Sequence, residues 1–218
     1  MTGSRSSLHQ TVRSSSFGVT QFGSTRHAHP LFRTGRQLDG GAYRLARDRH
    51  GLRGTADVVQ PNDMRAPDYL ALNPEGKVPT LVIDGRPLTE VAAILFYLAR
   101  RFPEAKLLPR DDIEAEAQAL SLMSFIASTL HPARARGLDY AKAVWGIADR
   151  RLGHGWAIGS FSIADIHLFR LYWRLANSLK PPPQTFPNLT AHYNRVMARP
   201  AVQKTIEIES NVGYELPA

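Results

Sequence analysis

Tyr69-Leu70-Ala71-Leu72-Asn73-Pro74-Glu75-Gly76-Lys77-Val78-Pro79 runs from a short apolar segment through a dense set of turn formers and stops at a proline. Thr80-Leu81-Val82-Ile83 follows as a compact apolar strand, and Asp84-Gly85 is the dipeptide that a two-residue type I′ turn prefers. Arg86-Pro87-Leu88 returns as the second arm of a hairpin; its proline puts that arm at a sheet edge, where a ladder donor is not needed. Thr89 is expected to cap a helix that begins at Glu90 and carries Val91, Ile94, Leu95 and Leu98 at helical spacing. Arg100 and Arg101 complement the C-terminal end of its dipole, and Pro103 lies beyond the stop.

Outward from this block the two sides differ. Serine, glycine and arginine dominate residues 1–30, with too few large apolar side chains to offset the entropy of ordering, so a disordered leader is expected there. Residues 31–38 read as a strand, 42–50 as a short helix stopped by Gly51, and Thr55-Ala56-Asp57-Val58-Val59 as a strand closed by Pro61 and Asn62. Downstream the period is helical throughout. Asp111, Asp112 and Glu114 favour a helix start, and Ile113, Ala117, Leu120, Phe125 and Leu130 form the expected buried stripe up to His131-Pro132. Further helices are expected over 139–152, stopped by Gly153, and after Ser162, which with Asp165 forms a capping box. Beyond the stiff Pro181-Pro182-Pro183, Asn188 is expected to cap a helix to about Arg199, and Pro200 to open a last one through Ile208.

Composition narrows the function classes. With no cysteine among 218 residues, disulfide frameworks, thiolate metal sites and a cysteine nucleophile are excluded. No apolar run reaches membrane-spanning length, so no membrane partner is expected. The formal charge of +8 invites a nucleic-acid reading. Its distribution weakens that reading, because Arg5, Arg13, Arg26, Arg33 and Arg36 stand in an acid-free start and no nucleic-acid-binding motif accompanies them. That start also suits an organelle address, while the absence of an apolar signal-peptide core makes the cytoplasm the default location.

Asn73-Pro74-Glu75-Gly76-Lys77-Val78-Pro79-Thr80-Leu81, together with Leu88-Thr89-Glu90-Val91-Ala92-Ala93-Ile94, resembles the glutathione-recognition block of glutathione transferases. Gly159 and Ser162-Ile163-Ala164-Asp165 resemble the family's helix-capping motif, Arg199-Pro200-Ala201-Val202 its closing segment, and residues 125–131 are most similar to the bacterial beta-type enzymes. The resemblance covers residues 68–209. It implies an α/β thioredoxin-like N-terminal domain over residues 31–104 and an all-α C-terminal helical domain over 110–218. It also implies a homodimer that joins glutathione to small hydrophobic electrophiles, with no metal and no cofactor beyond glutathione as co-substrate.

Glutathione is an extended peptide with two carboxylates and an amine. Val78, preceding Pro79, is restricted to extended backbone, which leaves its N–H and C=O to pair with such a peptide as an added strand would. The resemblance implies a cis Pro79, a Glu90 carboxylate that receives the γ-glutamyl amine, and a Val91 N–H that meets the γ-glutamyl carboxylate; Glu90 also suits a helix start on dipole grounds alone. Val91 departs from the serine the family often has. Lys77 either offsets the glycyl carboxylate or is simply solvated. His131, where beta-type relatives place a cleft histidine, either donates to a thiolate and handles its proton or serves the helix dipole.

The family's thiol-activating tyrosine, serine or cysteine follows the first strand, and Gly40 or Gly41 falls near that place. Tyr43, Thr34 or a backbone N–H remain to approach the thiol. Residues before Asp68 also lack the opening strand and amphipathic helix of the family, which points to a shifted reading frame or a diverged start. The alternative reading is therefore a catalytically impaired glutathione-binding or protein-interaction module on the same scaffold.

Overall fold

The structure, a computed structural model, describes residues 40–48, 51–59, 63–83 and 86–211, with side chains over 64–83 and 86–207. Four strands form one sheet in the order β2-β1-β3-β4. β1 (Gly40–Asp48) and β2 (Gly51–Val59) pair antiparallel from Gly40 opposite Val59 to Asp48 opposite Gly51. On its other side β1 pairs parallel with β3 (Thr80–Ile83), Tyr43 standing opposite Leu81. β3 pairs antiparallel with β4 (Arg86–Thr89), Thr80 opposite Thr89.

The helix expected over 42–50 is thus a strand. Helix propensity separates ordinary residues by only about 0.7 kcal/mol each, and here a ladder on either side overrides it. Gly51, read as a helix stop, instead opens β2. The expectations for residues 1–38, for Pro61 and Asn62, and for the Asp84-Gly85 turn lie outside the described residues.

The thioredoxin-like half is built on this sheet, on the short α1 (Pro67–Leu72) and on α2 (Val91–Arg101), which lays Ile94 and Leu98 against Leu81 of β3. Its opening is a hairpin, β1 running into β2 with only residues 49–50 between them. α2 has a second apolar face. Leu95 and Ala99 turn toward the helical half and pack with Leu107, Met123, Ile163 and Ala164. Each leucine or isoleucine so enclosed is worth about 2 kcal/mol relative to exposure, so one helix contributes to a core on each of its two faces. The helix start differs by one residue from the expectation: Glu90, not Thr89, occupies the cap position, and it makes no side-chain capping bond.

The helical half comprises α3 (Ile113–Phe125), a π turn (Ile126–Leu130), a 3-10 segment (His131–Arg136), α4 (Leu138–Leu152), α5 (Ile163–Leu179), α6 (Pro187–Met197) and α7 (Pro200–Asn211). The buried stripe of the first of these is Ala119, Met123, Ile126 and Leu130, whereas Ile113 is 76% exposed and Leu120 39%. Apolar residues surround this helix on every side, so two stripes satisfied the helical period, and the π turn then shifts the phase by a residue. α6 begins at Pro187 rather than at an Asn188 cap; Asn188 lies inside it and donates to the Asp149 main chain at 3.1 Å.

The capping box at α5 is present as read, and Asp165 does more than cap. Its carboxylate accepts from Ser162 N and Ala157 N at 2.8 Å each and from Ser162 Oγ at 2.9 Å, and it bonds His192 Nε2 at 2.9 Å. No helix among the described residues is long and apolar enough to cross a membrane.

Candidate functional site

The corner before β3 is held by three side chains that the sequence pattern does not single out. The Tyr69 hydroxyl donates to the Lys77 carbonyl, and the Asn73 amide donates to the same oxygen at 2.7 Å. Thr80 Oγ1 closes the set, 3.0 Å from the Tyr69 hydroxyl and 3.3 Å from Asn73 Nδ2. Tyr69, Asn73 and Thr80 are all buried, and burial pushes the Tyr69 phenol above its ordinary value, so it remains a donor. Gly76 adopts φ +60°, and a Cβ there would lie 3.0 Å from the Met64 carbonyl oxygen; only glycine passes this point without displacing main chain.

What this network fixes is Lys77 and therefore Val78. The Val78–Pro79 peptide is cis. Val78 is half-buried, and among the described residues nothing pairs with its N–H or C=O. Because Thr80 faces Thr89 across the β3–β4 ladder, the residues entering β3 and those leaving β4 meet at one end of the sheet. Val78 and Pro79 thereby come beside Glu90 and Val91. Glu90 is exposed, and at φ 68° it holds a backbone conformation that costs a non-glycine residue about 1–3 kcal/mol. Val91 opens α2, where its N–H has no intrahelical acceptor, and its side chain packs into the core shared with the helical half. That packing accounts for an apolar residue where a hydroxyl was the family pattern.

Lys77 is exposed and pairs with Glu75 at 2.6 Å. The bond to Glu75 raises its pKa, with a smaller contribution from Glu90. His131 starts the 3-10 segment and keeps solvent contact as a residue, yet its imidazole is hemmed in enough that desolvation lowers its pKa. The cations of Arg174 and Arg170 lower it further, and the Glu90 carboxylate partly offsets them. His131 is therefore neutral near pH 7. His167 of α5 lies beside it, buried and lowered to about 4, first by desolvation and then by His131.

Lys77, Glu90 and His131 thus share one electrostatic neighbourhood next to Val78. Tyr43 stands within β1, opposite Leu81 and Ala56, and its side chain lies outside the described atoms. The parallel register brings the Gly40-Gly41 end of β1 toward Val78. Beyond His131 a cavity of about 480 Å³ opens, walled by Leu130, Trp145 and Leu171 and edged by Arg134 and Arg174. No metal-holding cluster of His, Asp and Glu occurs among the described residues.

Two family profiles match the chain: "Glutathione S-transferase, N-terminal domain" over residues 43–101 and "Glutathione S-transferase, C-terminal domain" over residues 128–200. The first reaches back well before Asp68, where the motifs begin. Glutathione S-transferase GstA of Escherichia coli O157:H7 is 28% identical over 175 residues, 71% of this chain and 85% of that protein. Maleylacetoacetate isomerase of Pseudomonas aeruginosa is 29% identical over 126 residues, 48% of this chain and 59% of that protein. Among solved structures, a bacterial beta class glutathione S-transferase from Sphingomonas chungbukensis has a TM-score of 0.56 at 34% identity, covering 66% of this chain and 80% of its own. A sphingomonad glutathione S-transferase complexed with glutathione has a TM-score of 0.57 at 31% identity, covering 67% and 80%.

Proposed function

Because the chain belongs to the glutathione S-transferase family, we propose that it binds glutathione and joins its sulfur to small hydrophobic electrophiles. The observation that carries this reading is the open main chain of Val78, held by the Tyr69–Asn73–Thr80 network beside Glu90. Glutathione lies along Val78 as an added strand. Its γ-glutamyl amine meets the Glu90 carboxylate and its γ-glutamyl carboxylate meets the Val91 N–H at the start of α2. Lys77, shared with Glu75, borders the glycyl end.

The sulfur then points toward His131. A neutral imidazole offers an N–H to the thiolate, favouring the charged form and lowering the thiol pKa. In the conjugation step the thiolate lone pair forms a carbon–sulfur bond while the leaving group departs with its electron pair. Catalysis then rests on positioning and on thiolate stabilisation, with Tyr43 as a further thiol-side group and no metal or additional cofactor. On this reading residues 31–104 and 110–218 are the two domains of a cytoplasmic homodimer.

A second reading is favoured by one observation. The β1 end that faces Val78 carries Gly40 and Gly41, which have no side chain to activate a thiol. The chain would then bind glutathione without turning it over. Retention on immobilised glutathione, weakened at least about tenfold in Glu90→Ala by loss of a charge-assisted bond, supports both readings. Turnover of an aryl halide selects the first. Full retention by Glu90→Ala would remove the glutathione assignment.

A further inference from the structure

We propose that the second-substrate side of the cleft takes a small apolar molecule ending in a carboxylate, gripped by Arg174 and Arg134 at the wall of the cavity that His131 borders. The inference deepens the glutathione reading by naming the substrate class, and it rests on that reading for the co-substrate alone.

The cavity is lined mostly by apolar residues. Leu130, Trp145 and Leu171 form apolar wall, Arg134, Arg174, His131 and Ser178 supply the polar groups, and among the described residues no carboxylate lines it. Several other arginines among the described residues have partners. Arg136 donates to the Tyr140 hydroxyl at 3.0 Å, Arg151 lies over the Phe125 ring, Arg199 over Phe161, and Arg100 approaches Glu116 at 3.7 Å. Among the described residues neither Arg134 nor Arg174 meets a carboxylate or an aromatic face.

The two guanidiniums also feel each other. Arg174 is half-buried; desolvation and then the Arg134 cation work against its charge. A bound carboxylate relieves both, since it supplies the missing opposite charge and matches the planar fork of a guanidinium with two parallel acceptors. The rest of such a ligand displaces water from the leucine and tryptophan walls. His131 joins this cavity to the glutathione side, because it borders the one and feels the Glu90 carboxylate of the other.

Titration calorimetry on the full chain with 4-phenylbutyrate, 4-phenylbutyramide and 3-phenylpropylphosphonate tests the assignment. The carboxylate is expected to bind about tenfold or more tightly than the amide, as a charge-assisted pair requires. Arg174→Gln removes that preference and Arg134→Gln weakens it, while Arg110→Gln, exposed and outside the cavity, leaves it intact. Equal affinity for acid and amide in the unaltered chain overturns the proposal, and that comparison depends on no variant folding. A phosphonate that binds more tightly than the carboxylate overturns the carboxylate assignment. Retention on immobilised glutathione, measured on the same preparation, separates the two readings. Retention without acid preference sinks this inference alone; acid preference without retention sinks the glutathione reading alone.

Discussion

Two buried histidines of the helical half sit in opposite surroundings. His192 of α6 is fully enclosed and bonds the Asp165 carboxylate, which gathers three further donors at the mouth of α5. His167 of α5 is enclosed too, but the charged group acting on it is His131, and among the described residues no carboxylate pairs with it. The first arrangement spends a carboxylate on holding the fold. The second buries one imidazole beside another, with the Glu90 carboxylate acting on His131 alone, at a cost that the fold carries.

The sharpest way to break this contrast is Asp165→Ala. It strands two main-chain N–H groups, a hydroxyl and an imidazole in the core, and about 3–5 kcal/mol of unfolding free energy should be lost, read from urea denaturation. A loss below about 1 kcal/mol would mean that Asp165 is not the anchor described.

The cleft side is tested by pH. His167 has its ordinary value of 6.5 in the unfolded chain and about 4 in the fold. Between those values the unfolded chain takes up a proton that the fold refuses, so stability present above pH 6.5 drains away as pH falls toward 4. The total is roughly 3 kcal/mol. His167→Gln should flatten unfolding free energy across that window; an unchanged acid slope would assign the loss to other groups.

The smallest expected effect concerns the corner before β3. Tyr69→Phe removes one of the two donors to the Lys77 carbonyl and the contact with Thr80, at about 1–2 kcal/mol. Retention on immobilised glutathione should fall with it, because Val78 loses support. Weaker stability with undiminished retention would show that Asn73 alone holds the corner.

These contrasts explain what the sequence could disclose. The hairpin at Thr80–Ile83, the α2 positions Ile94, Leu95 and Leu98, and the Ser162–Asp165 box are local patterns whose partners lie within a few residues, so spacing reveals them. The network of Tyr69, Asn73 and Thr80 is also short in sequence, but its acceptor is a main-chain oxygen, which carries no residue-type signal. β1 was invisible for another reason: its alternation is weak and its stabilisation comes from ladders on both sides. Arg174 is far from His131 in the chain, and nothing near it marks a site; only folding α5 against the 3-10 segment brings the two to one cavity. His131, Glu90 and Val78, by contrast, stand out as candidates in the sequence because a family pattern names their positions.

Glu90 keeps a glycine-like torsion although it has a side chain and little packing to enforce it. A library screened only for heat resistance should therefore drift to glycine at that position, since glycine adopts the torsion freely. A library screened for thiol capture should hold the acid. The position would thus sort variants by what was selected, an internal gauge of whether evolution in the test tube is rewarding robustness or use.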